Sequence, residues 1–169
     1  MAYRNKTYVA FASEDIGRYR LMEAWRDNEK IDFNFYDAHD LYISRDTSKP
    51  ETIKKNLRSR LGNAKQVVLL GSKDAKRKGD DGVSFLAHEV EVIKELELPI
   101  VVANLDGDRK VDRAFIPNLL LDANYYTLST SFQPKIIMYA LDNYPAYFAG
   151  NISKGPHQYP ASKYEELGL

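Results

Sequence analysis

The sequence predicts an α/β protein built on a mainly parallel sheet that is covered by helices on both faces. Three observations point there. Strand-length apolar runs alternate with amphipathic helical patterns, which implies crossover connections between parallel strands. Two of the runs, Val67–Leu70 and Ile100–Ala103, have no polar break, as expected for strands buried on both faces. Proline and glycine punctuate the joins, with Pro50 and Gly62 bracketing one helical pattern and Gly71 closing one apolar run.

The elements follow in order. Thr7–Ser13 reads as a first strand, followed by a helix through roughly Tyr19 to Asn28 that carries Leu21, Met22 and Trp25. Asp32–Asp37 alternates polar and aromatic residues, the pattern of a second strand near a sheet edge. Ala38 to Lys49 is polar, and Pro50 suits the first turn of a helix that runs to about Leu61 and is closed by Gly62. Gln66–Gly71 is a third, central strand, and Lys73 to Gly82 is a charged, glycine-bearing loop. Ser84–Leu98 is an amphipathic helix and Pro99–Leu105 a fourth strand. After a turn at Asp106–Lys110 and an irregular stretch across Pro117, Tyr125–Leu128 is the fifth strand. A last helix starts near Ser131, with Pro134 in its first turn, and runs toward Asn143 or somewhat beyond. This order gives a flavodoxin-like, doubly wound three-layer sandwich with a five-stranded sheet in the order 2-1-3-4-5. Residues 1–149 form the domain, and residues 150–169, with Gly155-Pro156 and Pro160, are expected to be a tail.

Composition narrows the function. The chain has 169 residues, with 24 Lys+Arg against 24 Asp+Glu, so no global field gathers nucleic acid or an anionic membrane. A small molecule or another protein is the better partner. The chain has no cysteine, which excludes disulfides, thiolate metal sites and a cysteine nucleophile and is compatible with a reducing cytoplasm. The N-terminus lacks a signal-peptide apolar core and no apolar run approaches membrane-spanning length, so a cytoplasmic location is expected. Twelve tyrosines, several in the last third, hint at partner surfaces without deciding anything.

One residue breaks the pattern of its own helix. At about 100° per residue, Val92, Phe85, Leu96, Ile93, Leu86 and Val90 form a continuous apolar arc. Glu89 falls inside that arc, with Lys94, Glu91 and Glu95 on the opposite side and His88 at the boundary. A carboxylate turned toward a core must be paired, protonated or lining a cavity. Two readings follow. Glu89 caps a loop or pairs with an arginine such as Arg58 or Arg60, or it belongs to a functional site.

Ligands of doubly wound sheets bind beyond the carboxyl ends of the strands, here Ser13-Glu14-Asp15, Asp37 to Asp40, Gly71-Ser72 and Asn104 to Asp106. The familiar chemistries of the fold do not match these ends. A flavin phosphate needs a Ser/Thr/Gly-rich loop after the first strand, and Ser13-Glu-Asp-Ile-Gly17 is acidic. A phosphoacceptor receiver needs Asp at the end of the third strand, which here ends Leu70-Gly71-Ser72. There is no G-x-G-x-x-G and no P-loop. His39, His88 and His157 are scattered without metal-ligand spacing, so no metal is expected.

Four segments, taken in order, carry a resemblance: Val9-Ala-Phe-Ala-Ser-Glu-Asp15, Phe35-Tyr-Asp-Ala38, Val67-Val-Leu-Leu-Gly-Ser72 and Phe85-Leu-Ala-His-Glu89. Over roughly residues 5 to 145 the chain resembles the TIR domains, and among them the TIR-like proteins of bacterial Thoeris antiphage systems. In enzymatic TIR domains an aromatic-x-x-x-Glu at the start of the third helix carries the glutamate required for NAD cleavage. The aromatic there is usually Trp, and Phe85 departs from it. The resemblance implies a protein that takes NAD as substrate, with no resident cofactor, and releases nicotinamide. It further implies an ADP-ribose-derived messenger, cyclic or conjugated, that activates a partner effector after a phage-derived trigger.

On that resemblance Glu89 is the catalytic candidate. Phe11 and Phe85 are candidate stacking walls or plain core. Ser13 and Asp37 end neighbouring strands, where their polar groups reach a ribose or amide, and His39 lies in the loop that borders the TIR pocket. Asn104 ends an apolar strand, and its amide binds ligand or satisfies loop backbone. The basic stretch Lys73, Lys76, Arg77 and Lys78 attracts pyrophosphate or is a solvated face. Two other functions stay open: a non-catalytic module that signals by self-association through Ala38 to Lys49, and a sensor that binds an ADP-ribose derivative without turnover.

Overall fold

The computed structural model describes residues 6–35, 49–150 and 154–169, with the side chains of 144–150 outside that description. Its centre is a five-stranded sheet in the order β1-β2-β3-β4-β5, every neighbouring pair parallel. The strands are β1 (Thr7–Ala10), β2 (Gln66–Gly71), β3 (Ile100–Asn104), β4 (Tyr126–Ser131) and β5 (Gly155–Gln158). The helices are α1 (Ile16–Asp27), α2 (Pro50–Leu61), α3 (Lys73–Asp80), α4 (Phe85–Glu95), α5 (Pro134–Gly150) and α6 (Ala161–Glu166).

Alternation along each strand sends side chains into two cores, one per face. Tyr8 and Ala10, Val67 and Leu69, and Ile100 and Val102 pack with Leu57 and Leu61 of α2, Ala75 of α3, and Leu86, Val90 and Ile93 of α4. Val9, Val68 and Leu70, and Val101 and Ala103 pack on the other face with Tyr19 and Met22 of α1 and Ile137 and Leu141 of α5. The uninterrupted apolar runs are therefore central strands covered on both sides, as their composition requires.

The strand order differs from the expected 2-1-3-4-5. The expected second strand, Asp32–Asp37, contributes no strand over its described residues 32–35, and positions 36 and 37 lie outside the description. Its aromatics are buried by other means. Phe33 N–H bonds Ile31 O at 2.9 Å, a tight turn that breaks any ladder, and Phe33 packs edge-on against both Trp25 and Phe35. The four remaining strands stand in the expected relative order, and the fifth comes from the segment expected to be a tail. Gly155 opens β5 at φ +104°, a conformation that L side chains rarely adopt, and its N–H bonds Tyr125 O at 3.0 Å. Pro156 is tolerated because β5 is the sheet's last strand.

A helix also replaces the loop expected over Lys73–Gly82. Ser72 caps α3 by accepting the Ala75 N–H at 3.0 Å, with Asp74 in the first turn and Arg77 and Lys78 in the last, which complements the helix dipole. Gly79 sits inside this helix because Pro117 lies directly over it. A Cβ at position 79 would stand 2.4 Å from the proline Cγ.

Candidate active site

The site grows from α4. This helix lies between the carboxyl end of β2 and the amino end of β3, so it runs against the strands and its first turn lies at their carboxyl rim. Glu89 lies four residues into α4, about 6 Å along the helix axis from Phe85. Most of the apolar arc faces the sheet: Leu86, Val90, Val92 and Ile93 are buried and Phe85 packs partly buried against the same core, whereas Leu96, the residue that caps the helix's end, is exposed. Glu89 is buried with them at 1 % exposure.

The hydroxyl of Tyr8, itself wholly buried in β1, donates to Glu89 Oε2. Pairing with Arg58 is not the answer for this carboxylate. Arg58 donates to Glu95 at 2.7 Å on the exposed side of α4, one turn beyond the parallel ion pair between Lys54 and Glu91. His88, expected at the boundary, is instead buried, and its Nδ1 has no hydrogen-bond partner.

Glu89 and Phe85 are one helical turn apart on one face, and the structure brings them together with Tyr8. Phe11 lies elsewhere. It stands three residues from Tyr8 on the same strand run, so it points to the opposite side of the sheet, where it stacks on Tyr19 with ring centroids 4.9 Å apart. Its other assignment, as core, describes its environment.

At the carboxyl rim, Ser13 is exposed and held in an ion-pair network. It accepts from Lys78 Nζ at 2.7 Å and donates to Glu14 Oε1 at 2.8 Å. Glu14 also takes Arg77, which bonds Asp74 as well, each at 2.9 Å. The hydrogen bond from Lys78, supported by Ser13, holds the Glu14 carboxyl at about 2. Lys76 pairs with Asp80 at 3.2 Å. Three of the four basic residues expected to attract a pyrophosphate are thus paired with carboxylates of the protein.

Asn104 is wholly buried, and its amide donates to the carbonyls of Asp108 at 2.9 Å and Lys110 at 2.8 Å, fastening the loop after β3. Of its two expected roles, satisfying loop backbone is the one its donors perform. Asp37 and His39 lie outside the described residues.

Ser72 and Asp15, each placed by the sequence at the carboxyl end of a strand, meet one another at the rim. Ser72 Oγ donates to Asp15 Oδ2 at 2.5 Å, tying the start of α3 to the turn after β1. Burial pushes the Asp15 carboxyl up, with Asp74 and Glu14 adding to the effect, against the hydrogen bond from Ser72. Tyr8 was legible in principle: only one of Tyr8 and Phe11, an odd number of positions apart, can face α4. Among the described residues, Asp106, Asp108 and Asp112 bring carboxylate oxygens within 4.8 Å of one another, close enough to share a cation. Each also accepts a neighbouring backbone N–H, from Asp108, Lys110 and Ala114 respectively.

The arrangement is a buried carboxylate on the helix α4, hydrogen-bonded by a neutral donor from β1, with a partly buried aromatic one helical turn before it. No helix among the described residues is long and apolar enough to cross a membrane. A search of curated proteins found no match. The family model described as "Thoeris protein ThsB, TIR-like domain" matches residues 8–110, more than half of the 169-residue chain. That span runs from β1 to the loop after β3 and includes Tyr8, Phe85 and Glu89. The chain belongs to the TIR-like domain family of the Thoeris protein ThsB, and so to antiphage defence.

Proposed function

We propose that the protein consumes NAD, cleaves the nicotinamide–ribose bond, and forms an ADP-ribose-derived nucleotide, cyclic or conjugated, that activates a partner effector once a phage-derived trigger is present. The observation that carries this reading is Glu89: a carboxylate inside an apolar helix face, 1 % exposed, with its orientation set by Tyr8.

The chemistry needs little more. Glycoside cleavage normally requires an acid to protonate the leaving group. Nicotinamide leaves as a neutral molecule from a cationic pyridinium, so no proton is required. An ionised carboxylate then stabilises the oxocarbenium-like ribose and accepts hydrogen bonds from its 2′- and 3′-hydroxyls. A poorly hydrated setting strengthens both interactions. Phe85, one turn before Glu89 at the rim, supplies the apolar wall for the pyridine ring. Ser13 contacts substrate only by exchanging Lys78 or Glu14, and Asn104 only by releasing its loop, so both are weaker candidates. Asp37 and His39 rest on the family resemblance.

One observation favours a second reading, a non-catalytic TIR-like module that signals by self-association. Glu89 is buried in this structure, so catalysis requires the rim above it to open. Chromatography of nicotinamide released from NAD separates the readings. Under triggering conditions the wild type releases nicotinamide and Glu89→Gln releases on the order of 10²–10³-fold less. Signalling that survives Glu89→Gln unchanged favours the module.

A further inference from the structure

We infer that Tyr8 is a positioning residue for Glu89, one that fixes the plane of the carboxylate while leaving its charge intact. The inference rests on the catalytic reading of Glu89 given above.

The hydroxyl has no packing purpose. On this face of β1 and β2 the inward neighbours of Tyr8 are Ala10, Val67 and Leu69, all wholly buried and apolar. A phenylalanine ring would fill the same space without bringing a polar atom into the core, where an unsatisfied hydroxyl is costly. The hydroxyl donates to Glu89 Oε2.

What that bond supplies is direction. A glutamate on a helix has three rotatable side-chain bonds, whereas a tyrosine ring has two and is here anchored in a strand paired along its length to β2. With Oε2 fixed, the direction of Oε1 is fixed too, and a carboxylate must be aimed before the cation forms if it is to stabilise it without reorganising.

The donor's chemistry also matters. An arginine or lysine partner would orient the carboxylate equally well but would offset the negative charge that a developing oxocarbenium needs. A neutral phenol orients without offsetting. On the outer side of α4, Lys54 of α2 pairs with Glu91 and Arg58 with Glu95.

The test is steady-state NAD turnover by the triggered full-length protein, as wild type, Tyr8→Phe and Glu89→Gln, at a temperature where circular dichroism shows each folded. The expected result is a kcat lowered roughly 10- to 100-fold in Tyr8→Phe with KM within about twofold of wild type. If Tyr8→Phe does not fold, Tyr8→Met, which also lacks the donor and leaves Glu89 unchanged, takes its place, with the same loss in kcat expected at unchanged KM. A lowered melting temperature with unchanged kcat, or a raised KM alone, overturns the inference and leaves Glu89 catalytic. Equal turnover by wild type and Glu89→Gln, or none by wild type, overturns the catalytic reading and this inference with it.

Discussion

Tyr8 and Glu89 stand 81 positions apart in the chain and meet through one hydrogen bond between β1 and α4, both inside the core. Removing the phenol alone takes one hydrogen bond from a buried carboxylate, at a cost of about 1–3 kcal/mol. Removing both polar partners does not. Urea unfolding of Tyr8→Phe, Glu89→Met and the double variant is expected to show strong non-additivity, the double variant being more stable than the sum of the singles. Additive losses would mean that the two side chains are not coupled.

Two neighbouring carboxylates after β1 are expected to respond to pH with opposite sign. Asp15 has its folded pKa raised from 3.8 by burial, so its contribution to stability is present at low pH and is lost as pH rises through the raised value. Asp15→Asn keeps an acceptor for Ser72 and should match or exceed the wild type in stability at neutral pH, with the difference closing in acid. Glu14 is held at about 2 against an ordinary 4.5, so its contribution is present above 4.5 and is lost between 4.5 and about 2. Its pairs are partly exposed, so Glu14→Gln should cost only about 0.2–1 kcal/mol at neutral pH. Thermal melts across this range check both signs.

Gly79 is a position where helix propensity and packing disagree. Replacing a glycine within a helix with alanine gains up to about 0.5–1 kcal/mol where there is room, and less near the end, where Gly79 is the penultimate residue of α3. Here the new methyl would lie 2.4 Å from Pro117 Cγ and 2.8 Å from its Cβ, and a proline ring gives way poorly. Overpacking of this kind costs about 1–3 kcal/mol, so Gly79→Ala should lower the melting temperature. A rise would show that the segment around Pro117 shifts freely.

The C-terminal segment should be indispensable for stability. Tyr164 of α6 is wholly buried and accepts the Ser131 N–H at 3.1 Å, while the Arg109 guanidinium lies 4.3 Å from its ring centroid. Gln158 accepts the Val111 N–H at 2.7 Å. Truncation after residue 153 therefore uncovers the edge of β4 and should both lower the melting temperature of the whole protein and promote aggregation, measured by calorimetry and light scattering. A truncated chain as stable and monodisperse as the full one would make this segment dispensable.

These cases show what could be read in sequence and what could not. Val67–Leu70 and Ile100–Ala103 announced central strands because burial on both faces demands continuous apolar residues. The arc of α4, and Glu89 within it, followed from the helical period alone. Over its described residues 32–35 the expected strand at Asp32–Asp37 does not form, because alternating aromatics record burial, not pairing: Phe33 is buried against Trp25 and Phe35 against Phe33. α3 was hidden by Gly79, whose reason is a proline 38 positions later. β5 was hidden by Gly155-Pro156, a pair that reads as a break unless the neighbouring strand is known. At the site, Glu89 and Phe85 were legible because they share a helix. Tyr8 was not singled out, since a tyrosine in a strand looks like core until its hydroxyl finds a distant acid.

The central claim is that Glu89 performs the chemistry, and the most direct test is mass spectrometry of the nucleotides formed when the triggered full-length protein meets NAD. The account predicts nicotinamide together with one ADP-ribose-derived product from the wild type, and on the order of 10²–10³-fold less of both from a folded Glu89→Gln protein. The same product in the same amount from Glu89→Gln would contradict it.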